Sequence, residues 1–164
     1  MKKILLLFAL FLVIVGALSL ILNYQKGGKA IFTFEKTPEK TPTVTINDHS
    51  FRVTVAVSQQ EQEIGLSKTK SLQQDQGMIF LFQKPGHYSF WMKDMKFPID
   101  IIYINQDTIV TIKENALPPK NNTENPTIYN PTEPSDKVLE IQAGLSQKYN
   151  FKNGDKVKYE NLGN

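Results

Sequence analysis

The sequence predicts an all-β domain, an antiparallel β-sandwich or flattened barrel with one or two short helices, preceded by an N-terminal transmembrane helix. Three observations predict it. Short stretches of β-branched and aromatic residues recur after tight turns, with no alternation of strands and long amphipathic helices. Several of these stretches alternate apolar and polar residues, as half-buried strands do. Ahead of them, Ile4 to Leu22 carries no charge, and at about 1.5 Å per helical residue it spans roughly the hydrocarbon core of a bilayer.

Three segments follow from composition: an anchor or uncleaved signal over residues 1–22, a flexible linker over 23–42, and an extracytoplasmic β-domain over 43–164. A cleaved signal needs a shorter apolar region and a small-x-small site, and Ala17-Leu18-Ser19 lies inside the apolar run. Length and site therefore favour an uncleaved anchor, with secretion after cleavage as the alternative. Lys2 and Lys3 place the N-terminus in the cytoplasm and the domain outside, against competing Lys26 and Lys29 on the other flank. The linker is polar and punctuated by Pro38 and Pro42, with little apolar surface to bury.

Within the domain, Val44 to Ile46 and Phe51 to Val57 read as a hairpin around Asn47-Asp48-His49. Ser58 and Glu61 have capping-box spacing, predicting a short helix to Ile64 that ends at Gly65 in the left-handed region. Met78 to Phe82, His87 to Met92, Ile99 to Ile104 and Thr108 to Lys113 follow as strands, with turns at Lys84-Pro85-Gly86 and Asn105-Gln106-Asp107. Asn115 to Asp136 contains five prolines, and a loop of that length is either a functional lid or locally disordered. Lys137 to Gln142 resumes as a strand, one helical turn fits Gly144 to Phe151, and Lys156 to Glu160 closes the chain.

The candidate site sits in Gly77 to Asp100, which holds the only Trp of the chain. A strand period of two puts Tyr88, Phe90 and Met92 on one face and His87, Ser89 and Trp91 on the other. Trp91 is then either an aromatic platform for a ligand or partner, or the filler of a second apolar layer. Asp100 lies between Ile99 and Ile101, where a buried carboxylate must find donors. It serves as a pin on the backbone N–H groups of the Asp94 to Phe97 turn, or as an acid–base pair with Asp94, or as a ligand contact. Glu140, between Leu139 and Ile141, raises the same question and takes the same structural answer. Arg52, the only Arg, binds an anion or pairs with Glu140 or Asp100.

Several classes are disfavoured. The formal charge of +3 belongs to the anchor and tail, because from Thr43 onward 13 Lys plus Arg face 14 Asp plus Glu; a domain near −1 lacks a nucleic-acid footprint. Zero Cys removes disulfides, thiol catalysis and a lipid-attachment cysteine. With two His, a metal site is disfavoured and no cofactor is implied. His87, Ser89 and Asp94 supply triad residue types without a nucleophile elbow.

Six segments carry a resemblance: Glu61 to Leu66, Gly77-Met78-Ile79-Phe80, Phe90-Trp91-Met92-Lys93-Asp94, Pro98 to Tyr103, Val138 to Gly144, and Gly154-Asp155. In order and spacing the chain resembles the bacterial and archaeal family called domain of unknown function 192. The resemblance implies a small all-β domain, commonly behind a signal or anchor, and no established activity. Two departures stand out. The family commonly continues Gly-Leu with Met-x-Arg where this chain has Ser67-Lys68-Thr69, and Asp94-Met95 replaces its Asn-Thr.

The expectation is a membrane-anchored binding module at the cell envelope, taking an unknown ligand or protein through Trp91, His87, Ser89, Asp94 and Asp100. The alternative is an envelope hydrolase, carbohydrate-directed, with Asp94 and Asp100 as acid and base.

Overall fold

The computed structural model of the protein describes residues 12–18, 40–121 and 125–163. Residues 12–18 form a helix, α1, on which Leu12, Val13, Ile14, Val15 and Leu18 are all exposed. It belongs to a unit of its own, Met1–Glu39. The remainder of the expected span from Ile4 to Leu22, and the linker as far as residue 39, lie outside the described residues. Among the described residues no helix is long and apolar enough to cross a membrane.

The second unit, Lys40–Asn164, is mostly β. β1 (Thr43–Ile46) and β2 (His49–Ala56) form a hairpin closed by Asn47-Asp48, with Asn47 at φ 52°. α2 (Gln59–Ile64) has both halves of the capping box, Ser58 Oγ accepting from the Glu61 N–H and the Glu61 carboxylate accepting from the Ser58 N–H. Gly65 follows at φ 48°, ψ −136°, so φ is positive as its position requires, but ψ lies away from the left-handed helical value. β3 (Gln76–Gly86) runs through Lys84-Pro85-Gly86, the expected turn, with a register shift between Leu81 and Gly86 that accommodates the proline. β4 (Phe90–Trp91) is shorter than the expected strand from His87 to Met92. β5 (Ile99–Asn105) and β6 (Thr108–Ala116) pair across Gln106-Asp107. β7 (Ile128–Tyr129) lies within the proline-rich stretch, and β8 (Ser135–Gln142), α3 (Leu145–Lys148) and β9 (Val157–Glu160) complete the chain.

Seven strands make one sheet in the order β6-β5-β8-β3-β2-β1-β9, and β4 pairs with β7 in a separate ribbon. The β2–β3 pair is parallel, which corrects the wholly antiparallel expectation. Parallel neighbours need a crossover, and the chain containing α2 supplies it. The sheet curls into a half-barrel whose outer strands meet at one end: Thr108 bridges Lys156, Ile109 N–H donates to Asp155 O at 3.0 Å, and Val157 N–H donates to Asp107 O at 2.8 Å.

Both faces of the central strands are apolar, so two cores form. Val44, Phe51, Ile79, Ile102, Leu139 and Val157 fill the enclosed face, to which all seven strands contribute. Phe80, Met92, Ile101, Tyr103 and Val138 make the second core, with Leu66 and Leu72 from the crossover packed on it. Near-continuous hydrophobic runs such as Ile99 to Ile104 are the sequence mark of strands covered twice. Gly77 lets β3 approach β8, because a Cβ there would stand 2.8 Å from Glu140 O. Gly77→Ala is therefore expected to cost about 1–3 kcal/mol by forced separation of the two strands, read as a lowered midpoint in urea.

Candidate functional site

The ribbon positions the indole. Phe90 opposes Tyr129 and Trp91 opposes Ile128 across β4–β7, so the alternation of side chains turns one pair inward and the other outward. Phe90 packs edge-on against Phe80 at 4.8 Å and Tyr103 at 5.9 Å between ring centroids. Tyr88 stacks on Phe82 at 3.6 Å, and its hydroxyl donates to Lys84 O. On the opposite face Trp91 is 53% exposed and Ile128 59%. Tyr88, Phe90 and Met92 are thus covered while His87, Ser89 and Trp91 are not, the division that a period of two predicts.

Trp91 and Ser89 share a groove of about 260 Å³ with Phe82, Tyr88, Gln59 and Glu63. The Ser89 hydroxyl hydrogen-bonds Asn130 Oδ1 at 2.7 Å, tying the groove to the chain after β7. His87 is exposed and stands outside the groove lining. Lys93 Nζ lies 5.5 Å from the Trp91 ring centroid, a cation–π contact. Lys93 and the exposed Asp94, at φ 58°, border a wider cleft of about 690 Å³ with Lys68 and Lys96.

Asp100 is fully buried, and both its oxygens accept backbone hydrogen bonds. Oδ1 accepts from the N–H groups of Asn115 at 2.8 Å and Gly144 at 3.1 Å, and Oδ2 accepts from Ser146 N–H at 2.8 Å. The donors differ from those expected: they belong to the end of β6 and the start of α3, not to the Asp94 to Phe97 turn. Among the described residues no hydrogen bond joins Asp94 to Asp100. Arg52 likewise pairs elsewhere, with Asp75 at 2.6 Å on the surface, and with neither Glu140 nor Asp100.

Glu140 is the group whose importance the sequence hides. It opposes Met78 on one side and Ile101 on the other, so the period of β8 drives it into the second core. It is 5% exposed, and among the described residues Oε2 has no hydrogen-bond partner. Burial pushes its carboxyl up to about 8. The nearby Tyr103 phenol is also raised, by burial first and the Glu140 charge second, and it donates to Tyr129 O at 2.8 Å. Glu140 lines a chamber of about 30 Å³ together with Phe80, Phe90, Trp91, Lys93 and Gln62. A carboxyl within the apolar run Val138 to Ile141 was the sequence signal; its sharing a chamber with Trp91 depends on pairings distant in the chain. Among the described residues no group of three or more His, Cys, Asp or Glu could hold a metal ion.

Fold and site define a mostly β domain, a curled half-barrel carrying an exposed indole beside a buried, unpaired carboxyl. The chain belongs to the domain of unknown function 192 family (DUF192), described as uncharacterized ACR, whose profile matches residues 42–159. Segments that carry this resemblance, Glu61 to Leu66, Phe80, Phe90 to Lys93 and Glu140, meet around the small chamber. A protein of unknown function from Novosphingobium aromaticivorans DSM 12444 is similar at 36% identity and a TM-score of 0.62, over 71% of this chain and 83% of that one. A protein from Sinorhizobium meliloti 1021 described as a candidate transcription regulator is similar at 30% identity and a TM-score of 0.65, over 73% and 92%. None of the curated proteins compared with the chain matches it.

Proposed function

We propose that the domain is a binding module of the cell envelope, tethered by residues 4–22 with the N-terminus in the cytoplasm, that takes a ligand or partner protein on its Trp91 face. The observation that carries this reading is the half-exposed Trp91 standing over a groove that combines aromatic walls, Phe82, Tyr88 and Phe90, with the polar side chains of Gln59, Gln62, Glu63 and Ser89. Ser89 lies on the groove, Asp94 and Lys93 border the neighbouring cleft, and Ile128 of β7 adds exposed apolar surface opposite Trp91. The uncharged run from Ile4 to Leu22, exposed where it is described, supports the tether.

The hydrolase alternative needs Asp100 available for proton transfer, and three backbone N–H groups occupy its oxygens. A regulatory role by analogy with the Sinorhizobium protein finds no support in charge, since the domain from Thr43 balances 13 cationic against 14 anionic residues.

The test compares the full-length chain with Trp91→Ala against envelope glycans, lipids and peptides. Trp91→Ala is expected to weaken binding at least tenfold, as loss of a central aromatic anchor does, with the melting temperature within a few degrees of wild type. Retention of every wild-type ligand by a folded Trp91→Ala variant overturns the reading.

A further inference from the structure

We propose that the chamber beside Glu140 receives the ammonium head of a primary alkylamine, whose alkyl stem lies along the Trp91 groove. This deepens the reading of the Trp91 face as a binding surface and rests on it.

The first support is the carboxyl itself. Glu140 is more than nine-tenths buried and, among the described residues, Oε2 has no partner, a condition native proteins rarely leave uncorrected unless a ligand or water completes it. None of the ion pairs among the described residues reaches it.

The second support is size. The chamber holds about 30 Å³, enough for one or two groups the size of water. An ammonium head fits that space, and a trimethylated one does not.

The third is the chemistry of the wall. Phe80, Phe90 and Trp91 contribute rings, which attract cations through their faces. Gln62, whose amide nitrogen donates to Leu81 O at 2.9 Å, also lines the chamber and carries one acceptor oxygen. Glu63 adds a carboxylate to the same lining. The one cation there, Lys93, has its Nζ engaged over the Trp91 ring, evidence that an ammonium is accommodated against this indole. Acceptors and rings outnumber donors, so the fitting ligand brings both the donors and the positive charge.

The fourth is continuity. Gln62, Glu63, Phe90 and Trp91 line both the chamber and the 260 Å³ groove, to which Phe82 and Tyr88 add apolar wall. A ligand whose head enters the chamber therefore finds an aromatic surface for its stem.

The test titrates the full-length chain with n-butylammonium chloride at pH 8.5, with n-butanol and tetramethylammonium chloride as comparators at matched ionic strength. Trp91, the only Trp in the chain, supplies the fluorescence signal, and calorimetry is read in parallel. A saturable response to n-butylammonium is expected, with both comparators at least tenfold weaker. Glu140→Gln is expected to lose at least tenfold in affinity while its melting temperature is not lowered. Affinity should also rise between pH 6 and 8.5 as Glu140 gives up its proton; Glu63 of α2, Lys93 after β4 and Tyr103 of β5 are the other titratable groups facing this region. Equal responses to n-butanol and n-butylammonium, undiminished binding by Glu140→Gln, or no saturable response overturns the ammonium proposal. The Trp91 reading stands or falls separately on the envelope screen with Trp91→Ala.

Discussion

Replacing Glu140 with leucine is expected to stabilise the protein and to flatten its stability between about pH 4.5 and 8. In the unfolded chain this carboxyl ionises near its ordinary value of 4.5, whereas in the folded domain burial holds the proton until about 8. Between those values unfolding releases a proton, so the folded state binds more protons than the unfolded one and stability falls as pH rises. The contribution is fully present below 4.5 and is lost once pH passes 8. At neutral pH the buried acid costs of order 3 kcal/mol, and across the whole window of order 5 kcal/mol. Leucine removes both the titration and the unpartnered Oε2, and similar exchanges of buried polar groups for apolar ones are neutral or stabilising. Urea unfolding of the full-length chain and Glu140→Leu at pH 5, 6.5 and 8 provides the check. The difference in stability should widen steadily with pH, and a constant difference would refute the burial argument.

Asp100→Ala is expected to act in the opposite direction, costing about 3–5 kcal/mol. The loss follows from the donors left behind: the N–H groups of Asn115, Gly144 and Ser146 would all lose their acceptor. Asn115 sits at φ 51° and Gly144 at φ 83°, so two positive-φ positions depend on one carboxylate for their backbone geometry. Asparagine keeps the volume but turns a donor toward a donor, and it should recover less than half of the loss. Asp94→Asn, on an exposed turn, should stay within about 0.5 kcal/mol of wild type. Chemical denaturation separates the three variants, and hydrogen exchange should locate the effect at the start of α3. An Asp100→Ala protein as stable as Asp94→Asn would remove the pin.

What the sequence made legible was local. The Ser58–Glu61 capping box, the Asn47-Asp48 and Gln106-Asp107 turns, and the inward and outward sets around Phe90 and Trp91 all depend on residues within a few positions of each other. The features it hid depend on distant pairings. Ile128-Tyr129 has too little length to register as a strand until Phe90-Trp91 is placed beside it. The parallel β2–β3 contact emerges only when the crossover returns the chain to the same sheet. Asp100 could be recognised as needing donors, but not which ones, because Ser146 lies 46 positions away. Glu140 was visible as a carboxyl between apolar flanks and was expected to find donors; among the described residues its Oε2 has none, and the indole that shares its chamber comes from another sheet.

The barrel is fastened along only part of its length. β6 meets the chain entering the last strand near Thr108 and Ile109, where Lys156 also pairs with Asp107 at 2.9 Å, while from Val110 onward its only strand neighbour among the described residues is β5. Thr132 covers part of that margin, its N–H donating to Thr111 Oγ1 at 2.9 Å, and the exposed residues of β6 are Glu114 and Asn115 at its far end, where an uncovered strand edge would invite an extended chain. Lys113 and Glu114 near that end put opposite charges where a foreign strand would have to register, which disfavours self-association along the edge.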